Sequence, residues 1–283
     1  MTKAPAQTYS RLIGVPTPGL VLILVDQSSS MDEPAGRTHP GEPASSKAEM
    51  AAAAVNNVIY DLQRSCQAGS RIKDRCFVGV ITYGERVDYV LGGWISQVAD
   101  AHTTSGARER SNGGPAGHAG REQTVWIEPR ASGGTPMDVA FDDAYAVSSS
   151  WIADHIRCFP PVVINITDGD PNDLQHGGDG SRTQAAARRL MSLASDDGNL
   201  LLFNAHISGG SGNEIALPTS SSSFGDRYAK FLFGISSPIP DPILAKARKN
   251  GLTAAPGARG LVYNARRENL IRLLAFGSTH VLR

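Results

Sequence analysis

The sequence has no excess of either charge. Of its 283 residues, 27 are Lys or Arg and 27 are Asp or Glu, so the formal net charge is zero. We therefore expect neither nucleic acid nor an anionic membrane as a partner, although a local basic patch is compatible with this balance. Hydrophobic residues make up 41% and charged residues 19% of the chain, which is typical of a globular protein and not of a disordered one.

Long apolar runs and paired cysteines are also missing. The longest apolar run, Leu20–Val25 with its neighbours, is far shorter than the roughly 20 residues of a membrane-spanning helix. The first residues, "MTKAPAQTYSRLIGVPTPG", contain no apolar core as long as that of a signal peptide. Cys66, Cys76 and Cys158 form no paired ligand motif, and so sparse a set is typical of reduced thiols. These features predict a cytoplasmic protein.

Apolar segments with strand and helix patterns alternate along the chain. The run "GLVLILV" (19–25) is typical of a strand buried on both faces. Ser46 and Glu49 have the spacing of a capping box. The four-residue repeat that follows indicates an amphipathic helix, and consists of Met50, Ala54, Val58, Leu62 and Cys66.

The later segments continue this alternation. Strands are predicted in "RCFVGVITYG", "RVDYVLGG", "PPVVINITDGDP", "NLLLFNAHIS" and "GLVYNA". Helices are predicted in "TPMDVAFDDAYAVSSSWIADHI", "SRTQAAARRLMSLASDDG", "DPILAKARKNG" and "RENLIRLLAFGS". The pattern predicts an α/β fold with a doubly wound, mostly parallel central sheet and helices on both of its faces.

The alternation is interrupted twice. Residues 34–44, "PAGRTHPGEPA", and residues 101–124, "AHTTSGARERSNGGPAGHAGREQT", show no periodicity and contain few apolar side chains. Loops of this length without secondary structure are unusual inside a compact domain, so we interpret both as insertions. We therefore predict a single domain over residues 1–283, with a core at about 18–277.

Oxygen-bearing side chains follow two predicted strands and precede one predicted helix. Asp26 ends the first strand, Asp168 ends another in "INITDGDP", and Thr135 opens a helix in "SGGTPM". In an open parallel sheet, ligands bind beyond the carboxyl ends of the strands. Ser28 and Ser30 follow Asp26 at alternate positions, which can face the same point.

These groups are all carboxylates and hydroxyls, which suit Mg²⁺ or Mn²⁺ and are poor ligands for zinc. The predicted metal ligands are Asp26, Ser28, Ser30, Thr135 and Asp168. Two alternatives need no metal: Asp26, Ser28 and Ser30 can form a turn or capping cluster, and Thr135 can act as an ordinary N-cap.

Three short segments resemble the motifs of one family. "DQSSS" is similar to the Asp-x-Ser-x-Ser signature of von Willebrand factor A (vWA) domains, and "GGTPM" and "TDGDP" resemble the threonine and aspartate loops of that family, in the same order. The resemblance covers roughly residues 18–277 outside the insertions. One departure is Ser29, where many members have glycine.

In that family the three segments form the metal-ion-dependent adhesion site, or MIDAS. The resemblance implies that Ser28 and Ser30 bind the metal through their hydroxyls. It implies that Thr135 binds directly or through water, and that Asp26 and Asp168 hold the ion directly or through waters. It also implies a vWA, Rossmann-like fold and a protein-binding module, not an enzyme, in which the metal captures an Asp or Glu of a partner.

The segments "DQSSSMDEP" and "TDGDPND" look most like those of small cytoplasmic bacterial members of the family, similar to those associated with tellurite resistance. For such members the resemblance implies a partner that is a kinase, a phosphatase or an AAA+ ATPase. The corresponding setting is a stress-response, signalling or ATPase-associated complex.

The alternative function is a Mg²⁺-dependent phosphatase or other phosphoryl-transfer enzyme that uses Asp26 as its nucleophile. An aspartate after the first strand of an α/β sheet is placed for this role. The haloacid dehalogenase pattern, however, needs a second aspartate two residues later, where this chain has Ser28. The sequence also lacks a G-x-x-x-x-G-K-[ST] phosphate loop and a G-x-S-x-G nucleophile motif, so we prefer the binding module.

Overall fold

The computed structural model describes residues 8–35, 45–104, 125–209, 212–249 and 251–279. Most of the two predicted insertions, residues 36–44 and 105–124, lies outside these ranges. Their interpretation as insertions, and the prediction of one domain over the whole chain, therefore stay predictions.

Strands and helices alternate along the described residues. The strands are β1 Gly19–Asp26, β2 Gln67–Ala68, β3 Arg71–Ile72, β4 Cys76–Tyr83, β5 Val87–Trp94, β6 Val162–Thr167, β7 Ala194–Ser195, β8 Gly198–Asn199, β9 Leu201–Ile207, β10 Ile215–Ala216 and β11 Leu261–Ala265. The helices are α1 Lys47–Cys66, α2 Ile95–Thr104, α3 Met137–Asp154, α4 Ser181–Ser192, α5 Arg227–Ile235, α6 Asp241–Lys249 and α7 Arg267–Thr279.

Seven of the strands form the central sheet, in the order β10-β11-β9-β6-β1-β4-β5. The five inner strands are parallel, and the edge strands β5 and β10 run antiparallel to their neighbours. The predicted doubly wound, mostly parallel α/β fold is confirmed. The strand β1 lies inside the sheet, between β6 and β4, so its carboxyl end has parallel neighbours on both sides.

The alternation of side chains along β1 divides the core into two layers. Val21, Ile23 and Val25 pack in the layer that contains α1, α2, α6 and α7. Leu20, Leu22 and Leu24 pack in the layer that contains α3, α4 and α5. A strand covered on both faces needs apolar residues at every position, which explains the continuous run in the sequence.

Helix α1 forms as the sequence predicts. Ser46 is its N-cap: the Ser46 hydroxyl accepts a bond from the Glu49 N–H at 3.1 Å, and the Glu49 carboxylate accepts one from the Ser46 N–H at 2.9 Å. The five residues of the four-residue repeat are all buried. The capping box therefore fixes where α1 begins, and so fixes the position of its first residue, Lys47.

Two helix boundaries and one whole helix differ from the prediction. Helix α4 ends at Ser192 and not near Gly198, because Ala194–Ser195 and Gly198–Asn199 pair as a small hairpin with Gly198 at φ +141°. Pro136 is the N-cap of α3 and not part of its first turn. Helix α5 was not predicted, since its short apolar run Phe231–Ile235 has no clear 3.6-residue period.

The capping box gives a test of this part of the fold. The Ser46→Ala variant loses the acceptor for the Glu49 N–H, so we expect a loss of about 1 kcal/mol in the free energy of unfolding. A urea titration measures this change. Ser65→Ala is the matched control, because the exposed Ser65 hydroxyl only bonds the Asp61 carbonyl within the same helix. Equal losses in the two variants would contradict the role given to Ser46.

Candidate metal centre

Two aspartates meet where β1 and β6 end. The two strands are parallel neighbours, with Val25 opposite Ile166, so Asp26 and the residues after Thr167 reach the same edge of the sheet. The residue Asp26 and the side chain of Asp168 are both 0% exposed. The sheet register therefore brings two carboxylates, distant in sequence, to one buried point.

Ser28 and Ser30 link these two carboxylates. The Ser28 N–H donates to Asp26 Oδ1 at 2.8 Å, and the hydroxyl oxygens of Ser28 and Ser30 lie 3.1 Å apart. The Ser30 hydroxyl donates to Asp168 Oδ1 at 2.8 Å. Four of the five predicted ligands therefore lie in one continuous chain of contacts.

Thr135 reaches the same place through the backbone. Its loop bonds the serine loop, since the Ser29 N–H donates to the Gly133 carbonyl at 3.0 Å. It also bonds the aspartate loop, since Asn172 Oδ1 accepts the Thr135 N–H at 2.7 Å and the Asn172 N–H donates to the Thr135 carbonyl at 3.0 Å. Thr135 is only 2% exposed. It precedes the N-cap residue Pro136, so the alternative that Thr135 is an ordinary N-cap is wrong.

Glycine is required at Gly133 for this loop to approach so closely. Its φ is +79°, and a Cβ atom there would lie 2.4 Å from the backbone of Glu85. Any other residue would strain the turn and push it away from β4. The glycine at position 133 in "SGGTPM" is therefore required on steric grounds.

Burial dominates the chemistry of Asp26. It raises the pKa of this carboxyl to about 7, although hydrogen bonds from Ser28 and Thr167 act in the opposite direction; the charge of Asp168 adds to the rise. The Thr167 hydroxyl donates to Asp26 Oδ2 at 2.7 Å. No Lys, Arg or His of the described residues forms an ion pair with Asp26.

Lys47 is a further charged group of the site, and the sequence analysis missed it. Its ammonium lies 2.8 Å from Asp168 Oδ2 and 2.7 Å from Glu33 Oε2, and its side chain is 6% exposed. Burial acts to lower the pKa of Lys47, but the bonds and charges of the two carboxylates outweigh it and raise the pKa. One signal was present: a cation in the first turn of a helix is unfavourable unless an acid holds it there.

A cavity of about 410 Å³ opens beside Asp168. His206 lies in its wall, and burial lowers the pKa of this histidine to about 4, so it is neutral at pH 7. The cavity therefore provides space for a side-chain-sized group next to Asp168. It is lined by Glu33, Pro34, Lys47, Asp168, His206, Ile207, Ser208 and Gly209.

The donor set fits a hard divalent cation. Within the described ranges, no group of three or more His, Cys, Asp or Glu side chains is placed to hold a metal ion. The candidate centre instead has two carboxylates, and hydroxyls supply its other oxygens. A buried carboxylate without a cationic partner, together with neutral hydroxyls, suits Mg²⁺ or Mn²⁺ better than zinc. Asp26, Ser28, Ser30, Thr135 and Asp168 would hold such an ion.

No family model matches the sequence, and no curated protein matches it. Solved structures do match. They include the PilB minor pilin from Streptococcus sanguinis (13% identity, TM-score 0.47, covering 92% of this chain and 60% of that one). They also include the manganese-loaded TRAP protein of Plasmodium vivax (16%, 0.40, 85% and 69%). A third is the ArnB paralog VWA2 from Sulfolobus acidocaldarius (13%, 0.36, 67% and 35%).

Two of the matched structures, VWA2 and the vWF domain of the pili tip protein Mfa5 from Porphyromonas gingivalis, belong by name to the class that the three sequence segments resemble. The chain spans less than two thirds of the length of the PilB and VWA2 chains. At these identities and TM-scores the likeness does not bear on metal binding or on partners. The candidate metal centre rests on the contacts described above.

None of the helices within the described residues is both long and apolar enough to cross a membrane.

Asp26 gives the site a pH dependence. Its folded-state pKa of about 7 lies above the ordinary value of 3.8, so ionisation of this carboxyl opposes folding. Its contribution is therefore complete below about pH 4 and is lost as the pH rises through 7. In chelator, we expect the wild type to lose roughly 2 kcal/mol of unfolding free energy between pH 5 and pH 7.5 through this group.

The matched variant is Asp26→Asn, whose amide can still accept from the Ser28 N–H and donate to Thr167. Urea titrations of both proteins at the two pH values measure the difference. The variant should lack this part of the pH dependence. Parallel pH profiles for the two proteins would contradict the assignment.

Lys47 gives a second test. Lys47→Met leaves the buried Asp168 carboxylate without its cation, so we expect a loss of about 3 kcal/mol of unfolding free energy in chelator. Saturating Mg²⁺ should stabilise this variant more than the wild type, because the ion supplies the missing positive charge. Thermal melts with and without Mg²⁺ measure both effects. Lys230→Met, at an exposed position of α5, is the control, and identical behaviour of the two variants would remove Lys47 from the site.

Proposed function

We propose that this chain is a metal-ion-dependent protein-binding module of the MIDAS type, in which a bound Mg²⁺ or Mn²⁺ captures a carboxylate of a partner protein. The observation that carries the proposal is the buried pair Asp26 and Asp168. Serine hydroxyls join these carboxylates, and no Lys, Arg or His of the described residues pairs with Asp26. Lys47 pairs with Asp168 and Glu33 and not with Asp26, which leaves a place for a second cation beside Asp26.

Neutral ligands explain why such a centre would bind a partner. The hydroxyls of Ser28, Ser30 and Thr135 neutralise none of the ion's charge, and Lys47 offsets the charge of Asp168, so the ion would keep a net attraction for a further anion. An Asp or Glu of a partner, desolvated and aimed at the ion, would gain more than the same carboxylate gains at the exposed rim of an interface.

The surroundings of the centre also support this function. Ser29 is exposed and Ser30 is partly exposed, so the serine loop faces solvent while Asp26 stays buried. The cavity beside Asp168 has room for a second group of a partner. An approaching side chain would therefore reach the ion from the loop side of the site.

The finer assignments depend on the resemblance of the three motifs alone. A kinase, phosphatase or AAA+ ATPase as partner, a role in stress response such as tellurite resistance, and a cytoplasmic location are proposals at this level. The function of any longer protein that contains this chain is a proposal as well.

We propose that the chain is not an enzyme. Both carboxylate oxygens of Asp26 already accept hydrogen bonds, and the residue is 0% exposed, which is unfavourable for a nucleophile that must reach a phosphorus atom. A steady-state assay with an aryl phosphate and Mg²⁺ separates the two functions. Turnover that disappears in Asp26→Asn would favour the phosphoryl-transfer alternative.

The test of the binding function is a pull-down from lysate of the source cells, with the chain as bait, in Mg²⁺ and in chelator. We expect at least one partner that is retained only in Mg²⁺. Ser30→Ala should lose this partner because the variant lacks the hydroxyl that joins Ser28 and Asp168, and Thr135→Ala should weaken it with little effect on folding.

Ser29→Ala is the matched control, since the Ser29 hydroxyl donates to the Gly133 carbonyl and does not take part in the chain of contacts. It should keep the partner. Equal capture in Mg²⁺ and chelator would mean that recognition uses another surface.

A further inference from the structure

Two of the three cysteines lie side by side at the end of the molecule opposite the candidate metal centre. Cys66 is the last residue of α1 and Cys76 is the first residue of β4, and their sulfur atoms are 4.0 Å apart. Both residues are 0% exposed. Cys76 pairs with Gly19 at the start of β1, whereas Asp26 is at the other end of that strand.

We propose that Cys66 and Cys76 form a redox-active dithiol site that reacts with small-molecule disulfides and closes to an intramolecular disulfide. A disulfide requires a sulfur–sulfur distance near 2.05 Å, so the two sulfurs need to approach by about 2 Å. Rotation about the two Cα–Cβ bonds moves the sulfur atoms over distances of this size.

The backbone already holds the two cysteines together. The strands β2 and β3 pair as a hairpin between them, and the Lys73 N–H donates to the Cys66 carbonyl at 3.0 Å. The fold therefore closes the loop from Cys66 to Cys76 independently of any covalent bond. A disulfide at this place would fix an arrangement that the folded chain adopts anyway.

The hydrogen bond between the thiols gives the two sulfurs different roles. The two thiols share a hydrogen bond in which either sulfur can be the donor; this bond acts to lower the pKa of Cys66 and to raise the pKa of Cys76. The sulfur that ionises more readily attacks first. Cys66 also lies next to the exposed residue Gln67, whereas Cys76 begins the inner strand β4, so we assign Cys66 as the attacking residue and Cys76 as the resolving residue.

With glutathione disulfide as the oxidant, the reaction has two exchange steps. The Cys66 thiolate attacks one sulfur of glutathione disulfide and releases one glutathione. The Cys76 sulfur, after losing its proton, then attacks Cys66 in the mixed disulfide and releases the second glutathione. One glutathione disulfide is reduced to two glutathione thiols, and the two protein thiols are oxidised to one disulfide.

Cys158 cannot take part in this reaction in the folded protein. Cys66 and Cys76 pack in the core layer of α1 and α7, whereas Cys158 packs in the layer on the opposite face of the sheet. The chain therefore contains its own control thiol. Access to Cys66 requires local opening, and the nearest exposed backbone is the hairpin turn at Gly69 and Ser70.

The experiment is an incubation of the folded wild-type chain with glutathione disulfide or with reduced glutathione. Each sample is then denatured in the presence of N-ethylmaleimide, which labels free thiols, and its intact mass is measured by mass spectrometry. We expect one maleimide adduct after oxidation and three after reduction. Trypsin cleaves after Arg64, Arg71, Arg75 and Arg86, so the disulfide should join peptide 65–71 to peptide 76–86.

Oxidation should also raise the melting temperature by roughly 5 °C, because a disulfide reduces the conformational entropy of the unfolded chain. Cys158→Ser should show the same rise, and Cys66→Ser should show none. The affinity for Mn²⁺ should not change, since the site lies at the opposite end of β1. Three adducts after oxidation, or a disulfide that contains Cys158, would overturn the proposal.

Discussion

The candidate site depends on one buried charge, the carboxylate of Asp26 at the end of the inner strand β1. A carboxylate without water must be protonated, hydrogen-bonded or paired with a cation. Here Ser28 and Thr167 supply hydrogen bonds, and burial still raises the pKa of the group to about 7. A divalent ion bound beside Asp26 would remove most of this remaining cost. The same feature that makes the metal-free protein sensitive to pH therefore favours metal binding.

The parallel sheet explains why the second carboxylate is near the first. Because β1 and β6 are neighbours in register, Asp168 follows Thr167 at the edge where β1 ends. Lys47 neutralises Asp168 and not Asp26, since the capping box at Ser46 places this lysine against the aspartate loop. The site is thus asymmetric: one aspartate has an internal cation, and the other has only hydrogen-bond donors. This asymmetry gives the proposed ion a defined position.

Sequence patterns predicted most of this arrangement, for reasons that are local. The ends of apolar strands located Asp26 and Asp168, and the order of the three segments joined them to Thr135. Lys47, Thr167 and Asn172 were not predicted, because their roles depend on contacts between residues far apart in the chain, such as the 2.8 Å ion pair between Lys47 and Asp168. Helix α5 was missed because its apolar run Phe231–Ile235 has no clear 3.6-residue period. Its Tyr228 hydroxyl lies 3.4 Å from the Thr167 hydroxyl, a contact that only the fold creates.

The central claim is that a divalent ion binds between the serine loop and the two aspartates. Crystals of the chain soaked in Mn²⁺ test it most directly, because anomalous scattering locates manganese without reference to the surrounding atoms. We expect one strong anomalous peak within coordination distance of the Ser28 and Ser30 hydroxyl oxygens, and no such peak in Ser30→Ala crystals. The claim would be contradicted by an anomalous map without a peak at these oxygens, at a manganese concentration that saturates exposed carboxylates elsewhere on the protein.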